Sequence, residues 1–450
     1  MVYTHQTIFQ LRKIFCDLCK IIYVDLDYTR IIQDEKNNDI IIPNTPFIVD
    51  LTFYLIMSQY FKKAKIKFAG ELTDLRISVF MIRSSRIGKG QLIKVIESLG
   101  KNLGLRIKRI SYLNQASLIG TLNKYAMEFN YKKNLKPGML DYKEPVIYGV
   151  LAKYDILIFP EAKKLLKGAN EADTEFILST LQEALDYPGF IDKTMKESDL
   201  PIQYESTVSI FSTTYYVTEI ADLLLDQGFF QRNIIDKRNF TVDEIKELRR
   251  RIIEKYRQIS NKVDFNKKSE DIGKIIKDDF KNDEKLLEFT DEAIRELHKF
   301  NEQFFSQIKD ISGKELEILK SFSQTAIHLV TKIAGVNCCI RQDDKIIIED
   351  LIPAIEMFHP YVKILTTQLF VQEKKGSEIE NYKRLILQIY KDYMKEKKTL
   401  PGKYELIDFC KPHGFNHLKA SKLISLMCEE NYFIIEKPKE GNKHLLKLVE

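Results

Sequence analysis

The chain has 450 residues, 44% hydrophobic and 30% charged, a balance that suits about two to three folded domains and excludes a disordered or collagen-like chain. Its formal net charge of +6, from 70 Lys and Arg against 64 Asp and Glu, is compatible with a polyanionic partner without requiring one. Six cysteines are too few for a disulfide scaffold, and neither Cys16/Cys19 nor Cys338/Cys339 makes a matched metal knuckle, so reduced thiols and no metal site are expected.

Residues 1–45 carry no signal beyond a partly apolar pattern. The start MVYTHQTIFQ lacks a signal-peptide layout. The most apolar run, Phe47 to Phe61, contains Asp50 and ends in Lys62 and Lys63, so a cytoplasmic protein with no membrane contact is expected. Over 46–240 short β-rich runs alternate with helical stretches, as in an α/β layer fold. RISVFMI (76–82), LRIKRIS (105–111), YDILIF (154–159) and STVSIF (206–211) read as buried strands of a sheet covered on both faces. From 241 to 372 the pattern turns to long charged helices, with no strand expected before the 340s. EKKGSEIE (373–380) reads as a linker. Residues 380–450 carry three helical segments and then FIIEKP and HLLKLV around a Gly441-Asn442 turn, the layout of a winged helix-turn-helix.

The chemistry starts where the 76–82 strand runs into Arg83, Ser84, Ser85, Arg86, Ile87, Gly88, Lys89, Gly90 and Gln91, followed by a helix. Strand, loop with Gly-Lys, then helix is the setting of a phosphate-binding loop: loop and helix N–H groups face the anion and the lysine reaches the terminal phosphates. A plain strand-to-helix turn is the competing reading. The 154–159 strand delivers Glu161 at its C-terminal end, where ligands bind in open parallel sheets. That carboxylate can activate a water, or simply cap the next helix. The third strand ends in Ser212, Thr213 and Thr214, with Thr213 suited to positioning a water beside a terminal phosphate.

RSSRIGKGQLIK resembles the nucleotide loop of the minichromosome maintenance (MCM) helicases, which are AAA+ ATPases. SYLNQASLIGTLN (111–123), VIYGVLAKYDILIFPEAKKLL (146–166) and TEFILSTLQEAL (174–185) resemble the family's following segments in order. The resemblance covers about 75–240 and, more loosely, 314–360, which is similar to the AAA+ lid. It implies an α/β fold with an AAA+ P-loop ATPase core over 46–240, and a helical insertion and lid over 241–372. Ser84, Ser85, Arg86, Gly88, Lys89, Gly90 and Gln91 would hold ATP, Glu161 would activate water, and Arg232 would act as an arginine finger on a neighbour's nucleotide. As a bare sequence reading Arg232 is equally a surface arginine at a helix end. Two departures bear on Mg²⁺: Gly90 stands where the loop's metal-facing hydroxyl belongs, and Pro160 where the acid pair's aspartate belongs. Magnesium would then be held mainly by phosphates and water.

Two core segments offer lysines to DNA. NKYAMEFNYKKNLKPGML (123–140), with Lys132, Lys133 and Lys136, resembles the family's inserted hairpin. FIDKTMKESDLP (190–201), with Lys193 and Lys196, lies where the family carries its pore hairpin. A solvated charged loop is the plain alternative for both. In the C-terminal module Asn416, His417, Lys419 and Lys422 would line the outer side of the third helix. The implied protein is a ring-shaped, hexameric ATP-dependent DNA helicase or replication initiator of mobile-element or viral type. The alternative is a catalytically weak, nucleotide-switched DNA-binding or loader subunit.

Overall fold

The apolar runs at 76–82, 154–159 and 206–211 become neighbouring strands of one parallel sheet in the computed structural model. The structure describes residues 5–33, 39–68, 70–83, 88–137, 139, 141, 143, 146–162, 171–194, 201–214, 232–238, 240–258, 264–308, 314–363, 378–413, 415–429, 432–436 and 445–448. The strands are β1 (Val79–Arg83), β2 (Ile107–Arg109), β3 (Ile156–Phe159), β4 (Ser209–Thr214) and β5 (Ile234–Arg238). They lie in the order β5-β1-β4-β3-β2, and every pairing is parallel. All residues of β1, β3 and β4 are buried, which is why their sequences are apolar without alternation.

The edge strand β2 departs from the sequence expectation. It is three residues long, and Lys108 and Arg109 are exposed, the charged edge that discourages pairing with another chain. From β1 the chain runs out to β2, returns through β3 to β4, and then crosses to β5 on the other side of β1. Adjacent β1 and β4 therefore send their connections in opposite directions. The crevice at their C-terminal ends is a topological switch point, where open α/β sheets bind ligands.

Helix Lys89–Asn102 leaves β1 and buries Leu92, Ile93, Val95, Ile96 and Leu99, one face at helical spacing. Helix Phe47–Tyr60 is buried at every position from Ile48 to Tyr60. Its Asp50 is neutralised by Arg12 at 2.7 Å, from helix His5–Ile22, and Tyr54 donates to Asn337 at 2.9 Å. Helix His5–Ile22 is therefore part of the core, which its sequence did not announce.

A second sheet carries a further correction. Strands Lys65–Phe68 and Glu71–Asp74 form a hairpin, and Leu286–Phe289 and Lys345–Ile346 add to it in parallel. The region after 240 is thus not purely helical. The missed strand has four residues, Leu286 exposed and Leu287 buried, and its partner lies far upstream, so no local period marks it. Helices Val242–Gln258, Phe265–Asp279, Asp291–Ile308, Lys314–Arg341 and Ile348–Lys363 make up the rest.

Residues Met1–Thr366 form one compact unit and Thr367–Glu450 a second. The second holds helices Glu378–Lys397, Lys403–Cys410 and His417–Glu429, and an antiparallel pair, Phe433–Glu436 with Leu445–Leu448. Ile389, Leu406, Ile424, Met427, Phe433 and Leu446 are among its buried residues. The proposed linker at 373–380 lies mostly outside the described residues. Among the described residues no helix is long and apolar enough to cross a membrane.

Candidate functional site

Gly88 adopts φ +87, a left-handed conformation that favours glycine, and its carbonyl accepts the Gln91 N–H at 2.9 Å to start the helix. A side chain at Gly88 would also meet the Tyr23 ring at 3.0 Å. Lys89 opens a fourteen-residue helix with no acid in its first turn, so lysine charge and helix dipole favour an anion at the same spot. Its Nζ donates to the Arg83 carbonyl at 3.2 Å. Burial lowers the Lys89 pKa and Glu161 opposes that shift, which places the two side chains within electrostatic reach. Gly90 is exposed, and nothing lies within 4 Å of the position a Cβ would take. Ser84, Ser85 and Arg86 lie outside the described residues.

Arg83 is a buried ion-pair hub at the root of the loop. It donates to Asp236 of β5 at 2.6 and 3.1 Å, to Asp25 at 2.7 Å and to the Tyr23 hydroxyl at 2.9 Å. Tyr23 in turn donates to Asp25 at 2.6 Å. Burial works against the Asp25 carboxylate, but Arg83, the Tyr23 hydroxyl and the Asp27 N–H outweigh it and hold its pKa below the ordinary value. Burial raises the Tyr23 pKa, so its hydroxyl stays a donor. The N-terminal segment 22–28 thus braces the loop. Sequence reasoning missed this, because Asp25 and Arg83 are 58 positions apart and neither belongs to a motif.

That segment also closes a cavity of about 120 Å³ beside the loop, lined by Ile22, Val24, Gly88, Gln91, Lys94, Ile252 and Lys255. Its walls combine the apolar Ile22, Val24 and Ile252 with the polar Gln91, Lys94 and Lys255. Burial lowers the Lys255 pKa to about 8, and its ammonium donates to the Tyr23 carbonyl at 3.2 Å.

Glu161 is exposed in the turn after β3. Thr213 was expected to position a water; instead its buried hydroxyl donates to the Pro160 carbonyl at 2.5 Å, tying β4 to the turn that carries Glu161. Neither Gly90 nor Pro160 offers a side-chain oxygen, so these two positions would contribute no ligand to a Mg²⁺ ion.

Arg232 stands at the opposite edge. It lies two residues before Ile234, which pairs with Val79 at the start of β1, whereas Lys89 follows the end of β1. In its own chain it lies at the end of β1 away from Lys89.

Among the DNA candidates, the 123–140 segment is a helix, Lys124–Lys132, rather than a hairpin. The strands that pair around it are Gly120–Leu122 and Val146–Tyr148. Lys132, Lys133 and Lys136 are exposed there beside Tyr131, which is 85% exposed. Phe190–Thr194 and Pro201–Glu205 do form a hairpin, but Lys193 is half-buried and donates to Glu183 at 2.6 Å. Lys196 lies outside the described residues. In the C-terminal unit Asn416 caps the third helix through the Lys419 N–H at 2.8 Å, and His417 stacks with Tyr404. Lys419 sits 3.4 Å from the Tyr382 ring centre, a packed position that leaves Lys422 the more available cation.

No family model matches the chain, and no curated protein aligns with it significantly.

Proposed function

We propose that the chain is a nucleotide-binding protein of the AAA+ kind, similar to the MCM helicases, which takes ATP at the switch point of its parallel sheet. The observation that carries this is Lys89 opening a helix just past the end of β1, with Glu161 in the turn just past the end of β3, both at the C-terminal edge of the parallel sheet. The cavity beside Gly88, part apolar and part lined by Gln91, Lys94 and Lys255, supports it, since a base held there would leave its phosphates at the loop. Arg232, on the opposite edge, would complete the site of a neighbouring copy in a ring, and exposed lysines on both units would meet DNA. The test is calorimetry with Mg-ATP. Lys89→Ala should lose about 1.5–3 kcal/mol of binding, the worth of a charge-assisted hydrogen bond to phosphate. Equal affinity in mutant and parent overturns the assignment.

A second reading, a nucleotide-switched DNA-binding or loader subunit with little turnover, is favoured by Gly90 and Pro160. Gly90→Ser fits the open space at that position and should lower the Mg²⁺ concentration needed for half-maximal turnover. A motor that already saturates at ordinary Mg²⁺, unmoved by Gly90→Ser, would remove this reading.

A further inference from the structure

Arg232 is held. Its Nε and Nη2 donate to the two oxygens of Asp186 at 2.7 and 2.8 Å, a forked pair in which the arginine side chain is 29% and the aspartate 52% exposed. Asp186 stands on fixed backbone. Its N–H donates to the Gln182 carbonyl at 3.0 Å, and its own carbonyl accepts from Arg76 at 3.1 Å. Arg76 is buried and also holds the Ala184 and Ser206 carbonyls at 2.9 and 2.8 Å. The pair borders a cleft of about 530 Å³ that Arg76, His328 and Lys332 also line.

We propose that Asp186 is a latch on Arg232. In the free chain its carboxylate occupies the guanidinium fork that, in an assembled ring, takes the terminal phosphate bound at a second copy's Lys89. This rests on reading Arg232 as a residue supplied across an interface, and it adds the element that keeps it in check. A planar fork that fits a carboxylate fits a phosphate equally well, so the two compete for one donor set. An exposed pair of this kind shifts an equilibrium by about fivefold at most. That biases the free chain against assembly and still yields to a more highly charged triphosphate. Because Arg76 grips the Asp186 backbone and not its carboxylate, the side chain can be changed while its support remains.

The experiment is sedimentation velocity on the full chain over a protein concentration series, with Mg²⁺ and a non-hydrolysable ATP analogue, alongside calorimetry of the same analogue. Asp186→Asn should lower the concentration of half-assembly about two- to fivefold. Asp186→Glu should restore the wild-type value, and Asp186→Asn should add nothing in an Arg232→Ala background. Suppose the variants bind the analogue as wild type does. An unchanged or higher half-assembly concentration, no nucleotide-dependent assembly at all, or a Glu variant that behaves like Asn would then overturn the latch and leave the nucleotide reading standing. If calorimetry finds no analogue binding to the wild-type chain, the nucleotide reading fails and the latch fails with it.

Discussion

Two buried arginines stand one before the start and one at the end of β1, and they differ in what they grip. Arg76, ahead of the strand, donates to the Ala184, Ser206 and Asp186 carbonyls and to Asp74, so most of its partners are backbone groups that neither titrate nor move. Arg83, at the far end, is held by the carboxylates of Asp25 and Asp236 and the Tyr23 hydroxyl, which come from the N-terminal segment and from β5. The first fastens a scaffold. The second joins the root of the loop that leads to Lys89 to two other parts of the chain, so that loop senses whatever disturbs them.

The largest expected effect comes from removing that junction. Arg83→Leu leaves Asp236 buried without its cation and Asp25 with Arg238 alone, at 3.3 Å, and should cost about 3–5 kcal/mol in urea unfolding. Arg76→Leu should also destabilise, but Lys332, 3.3 Å from Asp74, keeps that acid paired. Calorimetry on the folded proteins separates them: ATP affinity should fall for Arg83→Leu and hold for Arg76→Leu. Equal affinity losses would erase the distinction drawn between the two ends.

Next comes the pair of loop glycines. Gly88→Ala imposes a left-handed residue and a contact with Tyr23, and should cost about 1–3 kcal/mol in thermal unfolding. Gly90→Ala meets nothing and should be neutral or slightly stabilising. A reversed order would mean that Tyr23 does not brace the loop.

The acid limb sharpens the same comparison. Asp25 has a folded pKa below its ordinary 3.8, so its share of stability is fully present above that pH and is lost as pH falls through the lower folded value. Asp25→Asn should therefore flatten the stability profile between about pH 5 and 2. Lys237, buried in β5, has its pKa lowered by burial to about 8 from 10.5. The unfolded chain binds the extra proton between those values, so this group makes stability rise from about pH 8 to 10.5, and Lys237→Met should remove the rise.

The smallest effects belong to the C-terminal unit. Lys419→Ala in the full chain should cost about 0.5–1 kcal/mol of stability through the lost contact with Tyr382. Lys422→Ala should leave stability alone and reduce the slope of log K against log salt for duplex binding by about 1. Duplex binding unaffected by Lys422→Ala would redirect that unit toward protein contacts.

How much of this was legible follows from the range of each interaction. Strands at 79–83, 156–159 and 209–214 were readable because burial on both faces leaves an apolar run in consecutive residues. The last helices of the chain were readable because i, i+3 and i+4 positions alternate with charge. Lys89 and Glu161 stood out because each follows a strand end, a local fact. Asp25, Tyr23 and Asp236 did not, since an ion pair between distant residues leaves no periodic trace. Thr213 was read as a water-positioning group because its type and place allowed it; only the neighbouring strand showed its hydroxyl bound to Pro160.

The helix Phe47–Tyr60 bears on how the chain is made. It is buried on all sides, and one of the partners that seal it, Asn337, is encoded 283 residues after Tyr54. At about 5–20 residues per second, translation delivers that partner on the order of tens of seconds later. Until then the helix has only the neighbours already made, first His5–Ile22 with its Arg12 and later Lys89–Asn102 and Ser209, to keep it from other nascent chains. Shortening the amino terminus should therefore show first as lost yield of soluble protein during synthesis, before any purified sample reveals a weaker fold.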